Sequence, residues 1–293
     1  MTKISESNLI VNPDKSVYHL SIQPQHIGDV VITVGDPGRV YMVSQYFDDV
    51  DFEMNKREFI THTGTYKGKR ITVISTGIGA DNIELFFTEL DALHNVDFKT
   101  RERKTKLKPL TVIRIGTSSA LQEDIPVGAH LITDYAVGLD SLMNFYDLPM
   151  NSIETDLVKD VHQKLGLNFM PYASRGSAHL LEQLKKDMII GNTISAPGFY
   201  APQGREIRVP IKYPKLLEDL NYYHHDPTNL WFTNLEMETA GFYAMARLLS
   251  HQAICVNAVV ANRVVGKFAK DPNKIVDELI KKVLDQLPQI AKS

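Results

Sequence analysis

Two short polar runs hold residues whose types and spacing suit chemistry on one kind of molecule. In Phe199-Tyr200-Ala201-Pro202-Gln203-Gly204-Arg205, an aromatic face stands beside an amide and a guanidinium. That set suits a flat heterocycle bearing carbonyl oxygens, because the amide and guanidinium donate hydrogen bonds while the ring packs. In Asn234-Leu235-Glu236-Met237-Glu238-Thr239-Ala240, carboxylates stand where a helical pattern begins. Carboxylates accept hydrogen bonds and so suit vicinal hydroxyls. A base-binding run and a sugar-binding run in one chain point to a nucleoside.

Three arginines stand where an anion would be held. Arg39 follows Val31-Ile32-Thr33-Val34-Gly35-Asp36-Pro37-Gly38, a strand running into a Gly/Pro turn and then a helical pattern. Gly35 lets backbone N–H groups approach a ligand, and the helix start favours negative charge. Arg114 interrupts the apolar strand Val112-Ile113-Arg114-Ile115, with Gly116, Thr117 and Ser118 just beyond it. A lone buried guanidinium is costly, so Arg114 requires an anionic partner, either a structural carboxylate or a ligand. Arg57, in Lys56-Arg57-Glu58-Phe59, is the weakest of the three because exposed Arg-Glu neighbours are common. The run Thr76-Gly77-Ile78-Gly79-Ala80-Asp81-Asn82 imitates a dinucleotide fingerprint, but Asn82 stands where the third glycine belongs, and the strand before it is not the first.

The elements that must position these residues alternate. Strands are expected at Val30–Val34, Ile71–Ser75, Thr111–Ile115, His130–Thr133, Met188–Ile190 and Ala258–Ala261, several of them continuously apolar as central strands are. Helices are expected from Asp81 to Leu93 with Asp81 as N-cap, from Met237 to Leu249, and after Asp271-Pro272 with Ile275, Leu279, Val283 and Leu287 on one face. The alternation predicts an α/β fold with a largely parallel or mixed sheet. With no repeat or linker in 293 residues, one domain is expected. The net charge of −3 argues against bulk electrostatic binding of nucleic acid. The single Cys255 excludes an internal disulfide and is expected to be an inert core residue. Met1 to Asn12 is polar, without a signal-peptide segment, and no run is long enough to span a bilayer, so a cytoplasmic protein is expected. The basic stretch Lys99 to Lys108 reads as a solvated loop, and Lys212 to Asn229 as an irregular loop whose pair His224-His225 lacks a third metal ligand.

Taken in order, these runs resemble the nucleoside phosphorylase superfamily, and within it the uridine phosphorylases. The resemblance extends from about Tyr18 to Arg263 through Tyr18-His19-Leu20, Gly35 to Arg39, Arg57-Glu58-Phe59, Ser75 to Gly79, Arg114 to Thr117, Phe199 to Arg205, Glu236-Met237-Glu238 and Asn262-Arg263. It implies a three-layer α/β/α domain with a mixed central sheet over residues 18–293, after an N-terminal extension of residues 1–17. It also implies homo-oligomers, either dimers or hexamers built from dimers, and phosphorolysis with inorganic phosphate as co-substrate and no organic cofactor or required metal. Under the resemblance Gly35, Arg39, Arg114 and Thr117 bind phosphate, while Arg57 and His19 cross from a neighbouring subunit to phosphate and to the ribose 5′-hydroxyl. Met237 and Glu238 hold the ribose. Gln203, Arg205 and Arg263 read the base, and Phe199 packs on it. Arg114, Glu238 and Arg205 are the residues expected to act most directly on the reacting centre. Glu58, Ile71 and Ser75 match positions that can hold a monovalent cation, such as potassium, at the dimer interface in some members.

Purine-selective members carry a Ser-Asp pair near the end of the strand that contains Val259, and this chain has Asn262-Arg263. An arginine stays charged and cannot serve as the proton donor to a purine nitrogen, which favours uracil and counts against a hydrolytic nucleosidase. The chain departs from the family in Thr117-Ser118-Ser119, which lacks a following glycine, and in the shifted Pro202 and Gly204 of the base loop. The leading expectation is reversible phosphorolysis of uridine, with deoxyuridine or thymidine as further candidate substrates, to uracil and ribose 1-phosphate. A phosphorylase for another base, purines included, and a non-catalytic nucleoside- or phosphate-binding homologue are the alternatives.

Overall fold

The computed structural model describes residues 3–28 and 30–290. The chain runs β1 (Val30–Val34), α1 (Gly38–Ser44), β2 (Asp49–Lys56), β3 (Phe59–Tyr66), β4 (Lys69–Ser75) and α2 (Ala80–Asn95). A small hairpin, β5 (Val96–Asp97) with β6 (Glu102–Arg103), precedes the long strands β7 (Thr111–Ala120) and β8 (His130–Gly138). Then come α3 (Ser152–Lys164), β9 (Tyr172–Arg175), α4 (Ala178–Leu184), β10 (Ile189–Ser195) and α5 (Leu216–Tyr222). A second hairpin, β11 (His224–His225) with β12 (Leu230–Trp231), leads to β13 (Asn234–Glu236), α6 (Thr239–Leu248), β14 (Gln252–Asn262), β15 (Lys267–Phe268) and α7 (Pro272–Ile290).

The main sheet is mixed and runs β15-β14-β8-β10-β13-β7-β1-β4-β3-β2, with β9 added beside β8. Strand β7 pairs in parallel with both β1 and β14, and its last residues pair antiparallel with β13. The five strands β7, β14, β8, β10 and β13 therefore close into a ring, and β1 to β4 extend from it as an open wing. Helices α1, α4 and α7 pack on one another and on the sheet as one group, while α2 packs on α6 and α6 on β8, β9, β10 and β14 as another. This is the expected α/β architecture, a central mixed sheet between helices. Among the described residues, no helix is long and apolar enough to cross a membrane.

Local sequence explains the elements that frame the site. Strand β1, Val30-Val31-Ile32-Thr33-Val34, is buried at every position, which an apolar run between two neighbouring strands requires. Helix α2 buries Ile83, Phe86, Phe87, Leu90 and Leu93 at helical spacing. It starts one residue before Asp81, which is not its N-cap: Gly79 holds that position with φ of 95°, a conformation that favours glycine. Helix α6 also begins later than expected, at Thr239, because Glu236 still belongs to β13. The segment after Lys212 is not an irregular loop, since it contains α5 and the β11–β12 hairpin. There His224 meets Asp226 and Asn229, and His225 meets Thr228 and Asp156, so every ring nitrogen has a protein partner. The basic stretch is only partly a loop. It forms half of the β5–β6 hairpin, and Arg101 donates from its side chain to the carbonyls of Ile4, Ser5 and Leu9. The N-terminal arm is thereby tied down, and Val17, Leu20 and Ile22 enter the main core. Cys255 is fully buried in β14, as expected of a core thiol.

Candidate active site

A cavity of about 730 Å³ opens beyond the carboxyl ends of β1, β4, β10 and β13, where open α/β sheets present their loops to ligands. Gly35 and Arg39 enter it after β1, Gly77, Ile78 and Asn82 after β4, and Phe199 and Gln203 after β10. Arg114, Thr117 and Ser118 reach it from β7, and Glu236, Met237 and Glu238 from the end of β13. Residues that lie more than 200 positions apart in sequence thus converge because β7, paired with β1, β13 and β14, sits at the junction of ring and wing.

The centre of the cavity is a buried ion pair. Arg114 Nη2 donates to Glu238 Oε2 at 2.6 Å, and the two side chains are only 6% and 8% exposed. Burial works against the Arg114 charge, but Glu238 and then Glu236 outweigh it, and the net shift of its pKa is upward. The structural-carboxylate alternative for the partner of Arg114 is therefore realised, by a residue the resemblance assigns to the sugar. Glu238 Oε1 accepts the Gly79 N–H at 2.8 Å, so the first turn of α2 also depends on this carboxylate. Each carboxylate oxygen has two lone-pair directions, and one on each remains for a further donor such as a hydroxyl.

On the other side of Arg114 the site is cationic. The Nε groups of Arg114 and Arg39 are both buried without a hydrogen-bond partner, as is the Ser118 hydroxyl. Buried donors of this kind normally have acceptors, and all three residues line the one cavity, which suits an anion there. Burial lowers the Arg39 pKa, Arg114 lowers it further, and Asp36 opposes the shift. A Cβ at Gly35 would lie 3.4 Å from the Gly77 carbonyl and 3.6 Å from Arg114 Nη2, filling space beside the guanidinium.

Glu236 has no hydrogen bond to Arg114 and performs a different task, although its charge also favours the guanidinium. Its oxygens accept the Ser195 hydroxyl at 2.6 Å, the Glu238 N–H at 2.9 Å and the Thr239 N–H at 3.0 Å. Ser195 Oγ in turn accepts the Ala240 N–H at 2.8 Å. Together the two side chains satisfy the exposed N–H groups at the start of α6, which leaves Glu238 free to face the cavity. Burial, and after it the Glu238 charge, push the Glu236 pKa up to about 7.

The aromatic end is built around Gln203. Ala201–Gln203 form a 3₁₀ turn closed by Gly204 in the left-handed conformation, φ 68°, so the shifted glycine supplies a sharp reversal. Arg205 does not line the cavity directly. It donates to Gln203 Oε1 and to the Phe199 carbonyl, each at 2.6 Å, and its guanidinium lies 3.8 Å from the centre of the Phe199 ring. Arg263 likewise stands behind Gln203 and donates to its carbonyl at 2.9 Å. Among the described residues neither arginine is paired with a carboxylate. Burial, then the charge of Arg263, push the Arg205 pKa down to about 10. Asn262 is consumed in the scaffold, donating to the Gln122 and Ile125 carbonyls and accepting the Val264 and Val265 N–H groups.

The remaining candidates lie elsewhere in the chain. Arg57, φ 54°, sits in the turn between β2 and β3 outside the cavity, while its neighbour Glu58 lines the rim. His19 is also outside, held against Glu89. Of the expected cation set, the Ser75 hydroxyl donates to the Glu58 carbonyl and accepts the Ile60 N–H. Ile71 is not brought to them. It pairs on β4 with Val30 and Gly64, four residues and about 13 Å along a strand from Ser75. One subunit therefore does not gather the three around one ion, and Gly77, Ile78 and Asn82 are instead the neighbours of Glu58 at the rim. Sequence reasoning missed Ser195, Glu89 and the role of Gly79. Glu89 had a visible signal, a carboxylate on the apolar face of α2 between Phe86 and Leu93.

The fold and cavity define an α/β enzyme whose site combines anion-binding arginines with an aromatic, donor-rich end. The chain belongs to the phosphorylase superfamily, whose family model matches residues 29–292. It is 32% identical over 260 residues to a uridine phosphorylase of Thermococcus kodakarensis, covering 88% of this chain and 81% of that one. A DeoD-type purine nucleoside phosphorylase of Colwellia psychrerythraea is 26% identical over 246 residues, covering 82% and 85%. Among solved structures, a Trypanosoma brucei nucleoside phosphorylase described as showing uridine phosphorylase activity superposes with a TM-score of 0.89 at 28% identity, covering 96% of this chain and 99% of that chain. The protein is accordingly a pentosyltransferase of the nucleoside phosphorylase type.

Two outcomes follow from the carboxylate cluster. Glu238→Leu alone leaves a buried guanidinium without its main partner and should destabilise the fold by about 3–5 kcal/mol in urea unfolding. Adding Arg114→Met should restore stability relative to that single variant without restoring activity, whereas additive losses would mean that the pair does not interact. For Glu236, the native state keeps a proton up to about pH 7 that the unfolded chain releases near pH 4.5. The native state then binds more protons in this window, so this group's contribution to stability falls as pH rises from about 4.5 to 7. Glu236→Gln should flatten that fall in urea midpoints, and an unchanged slope would assign the titration to another group.

Proposed function

We propose that the protein catalyses the reversible phosphorolysis of uridine to uracil and ribose 1-phosphate. The observation that carries the base preference is the aromatic end of the cavity. Gln203 turns its carbonyl to Arg205, which leaves its amide N–H groups as donors, and two guanidiniums without carboxylate partners stand behind it. The acids that line the cavity are Asp36, Glu58, Glu236 and Glu238, none of them in the Phe199–Gln203 loop or at the end of β14. Uracil leaves with negative charge shared between ring nitrogen and carbonyl oxygens, which donors stabilise. A departing purine needs a proton at its imidazole nitrogen, for which this end offers no carboxyl group.

The reaction uses the parts in sequence. Arg39, Arg114, Gly35 and Thr117 hold phosphate, and the buried Nε donors of the two arginines support that placement. Glu238 accepts hydrogen bonds from the ribose hydroxyls through its remaining lone pairs, beside Met237. The C1′–N1 bond breaks as its electron pair passes to the base, the sugar acquires oxocarbenium character as in other glycosyl transfers, and a phosphate oxygen forms the new bond at C1′. Gln203, with Arg205 and Arg263 behind it, stabilises the charge on the base, more in the transition state than in bound uridine. The proton that hydrogen phosphate gives up on becoming the sugar phosphate dianion passes to the uracil anion, which departs neutral. His19 and Arg57 lie outside their own subunit's cavity, and we assign them to the site of a second subunit, His19 to the 5′-hydroxyl and Arg57 to phosphate. A homo-oligomer is part of the proposal for that reason.

The test is base release from uridine, thymidine and inosine, each with and without inorganic phosphate. Uracil released only with phosphate is the expected result. Inosine as the sole substrate would overturn the reading of Gln203, Arg205 and Arg263, and nucleoside binding without turnover would overturn the enzymatic reading. Arg205→Ala should lower kcat/KM for uridine roughly 10- to 100-fold with little change in the phosphate requirement.

A further inference from the structure

The carboxylate of Glu89 has no role in the reaction just described, yet it is buried and fully occupied. It lies on α2, nine residues after the N-terminal Ala80. Its Oε1 meets His19 Nδ1 at 2.7 Å and accepts the His19 N–H at 2.9 Å. Its Oε2 accepts the N–H groups of His19 and Leu20, both at 2.9 Å. Every contact of this carboxylate therefore goes to two consecutive residues of the N-terminal arm. Burying a carboxylate costs stability unless donors surround it, and here the donors are all on the segment that carries His19.

We propose that Glu89 is a positioning residue that fixes the tautomer and direction of His19. A carboxylate against Nδ1 places the proton on Nδ1 and leaves the Nε2 lone pair facing outward. His19 remains about a quarter exposed, so Nε2 is available to another molecule. An outward lone pair accepts a hydrogen bond from a hydroxyl group, and the inference rests on the assignment of His19 to the 5′-hydroxyl in a neighbouring site. Helix α2 gives the arrangement reach. Its first turn touches Glu238 of its own cavity through Gly79, and Glu89 lies about 15 Å further along at 1.5 Å per residue. One rigid element thus connects the sugar carboxylate of one site with the histidine lent to the next.

The experiment compares wild type, Glu89→Gln, His19→Ala and the double variant on uridine and on 5′-deoxyuridine, with phosphate saturating. Glu89→Gln keeps the size of the side chain but offers an amide that cannot accept all four contacts. It should raise KM for uridine about tenfold, with a smaller change in kcat, and have little effect on 5′-deoxyuridine. The double variant should be no worse than His19→Ala. Equal losses on both substrates, or additive losses in the double variant, would overturn the proposal and leave Glu89 a merely structural residue. A second readout is independent of turnover. The ¹⁵N shifts of the His19 ring, assigned by difference against His19→Ala, should report the Nδ1–H tautomer in wild type and its loss in Glu89→Gln. An Nε2–H ring in both would overturn the proposal. Should the tautomer change as expected while wild type treats uridine and 5′-deoxyuridine alike, Glu89 orients His19 and the 5′-hydroxyl assignment is what fails.

Discussion

The site depends on a guanidinium placed inside a sheet. Arg114 lies in β7 where that strand is flanked by β1 and β14, a position from which water is largely excluded. A charge there persists only with a counter-charge at contact distance, and Glu238 supplies it. The constraint then propagates. Glu238 must stand at the mouth of α6 facing inward, Glu236 and Ser195 must absorb the helix N–H groups in its place, and Gly79 must present its N–H from the start of α2. The same pair that the fold requires leaves donors on the guanidinium side and lone pairs on the carboxylate side. The proposed phosphate and sugar subsites are then two faces of one ion pair.

The two ends of the cavity are electrostatically different in kind. Around Arg114, positive and negative groups alternate over short distances, which suits a reaction that joins an anion to a sugar carrying positive character. At the aromatic end the arginines stand without carboxylates and the polar atoms offered are donors. A region prepared in this way stabilises charge that arises during reaction more than charge already present. The aromatic end and Glu238 follow the ring strands β10 and β13, whereas Gly35, Arg39 and Gly77 come from the wing, after β1 and β4.

Much of this was legible in the sequence, for reasons that can be traced to residues. Buried central strands such as Val30–Val34 announce themselves by continuous apolar character, and Arg114 was conspicuous because it breaks such a run. Long strands were seen only in part: β7 continues to Ala120 through Gly116, Thr117, Ser118 and Ser119, whose small polar side chains serve the site and hide the strand. The hairpin β2–β3 was missed because β2 is an edge strand with outward Asp49, Asp51 and Glu53, and β13 because three residues give no period to read. Partnerships across the chain, such as Glu89 with His19 or Ser195 with Glu236, are tertiary and have no local signature. Ile71 and Ser75 stand four residues apart on β4, and the cation expected from the resemblance belongs to an interface between two subunits, which no local pattern in one strand describes.

The edge strand β2 also limits how copies of this chain can meet. Among the described residues it pairs only with β3, so one row of its backbone groups faces outward, a surface that would ordinarily recruit another strand. Carboxylates stand along that edge at Asp49, Asp51 and Glu53, with Asp51 paired to Arg70, so a second copy of the edge laid against it would meet like charge at Asp49 and Glu53. The turn that carries Arg57 lies at the end of the same strand, beyond this acidic stretch.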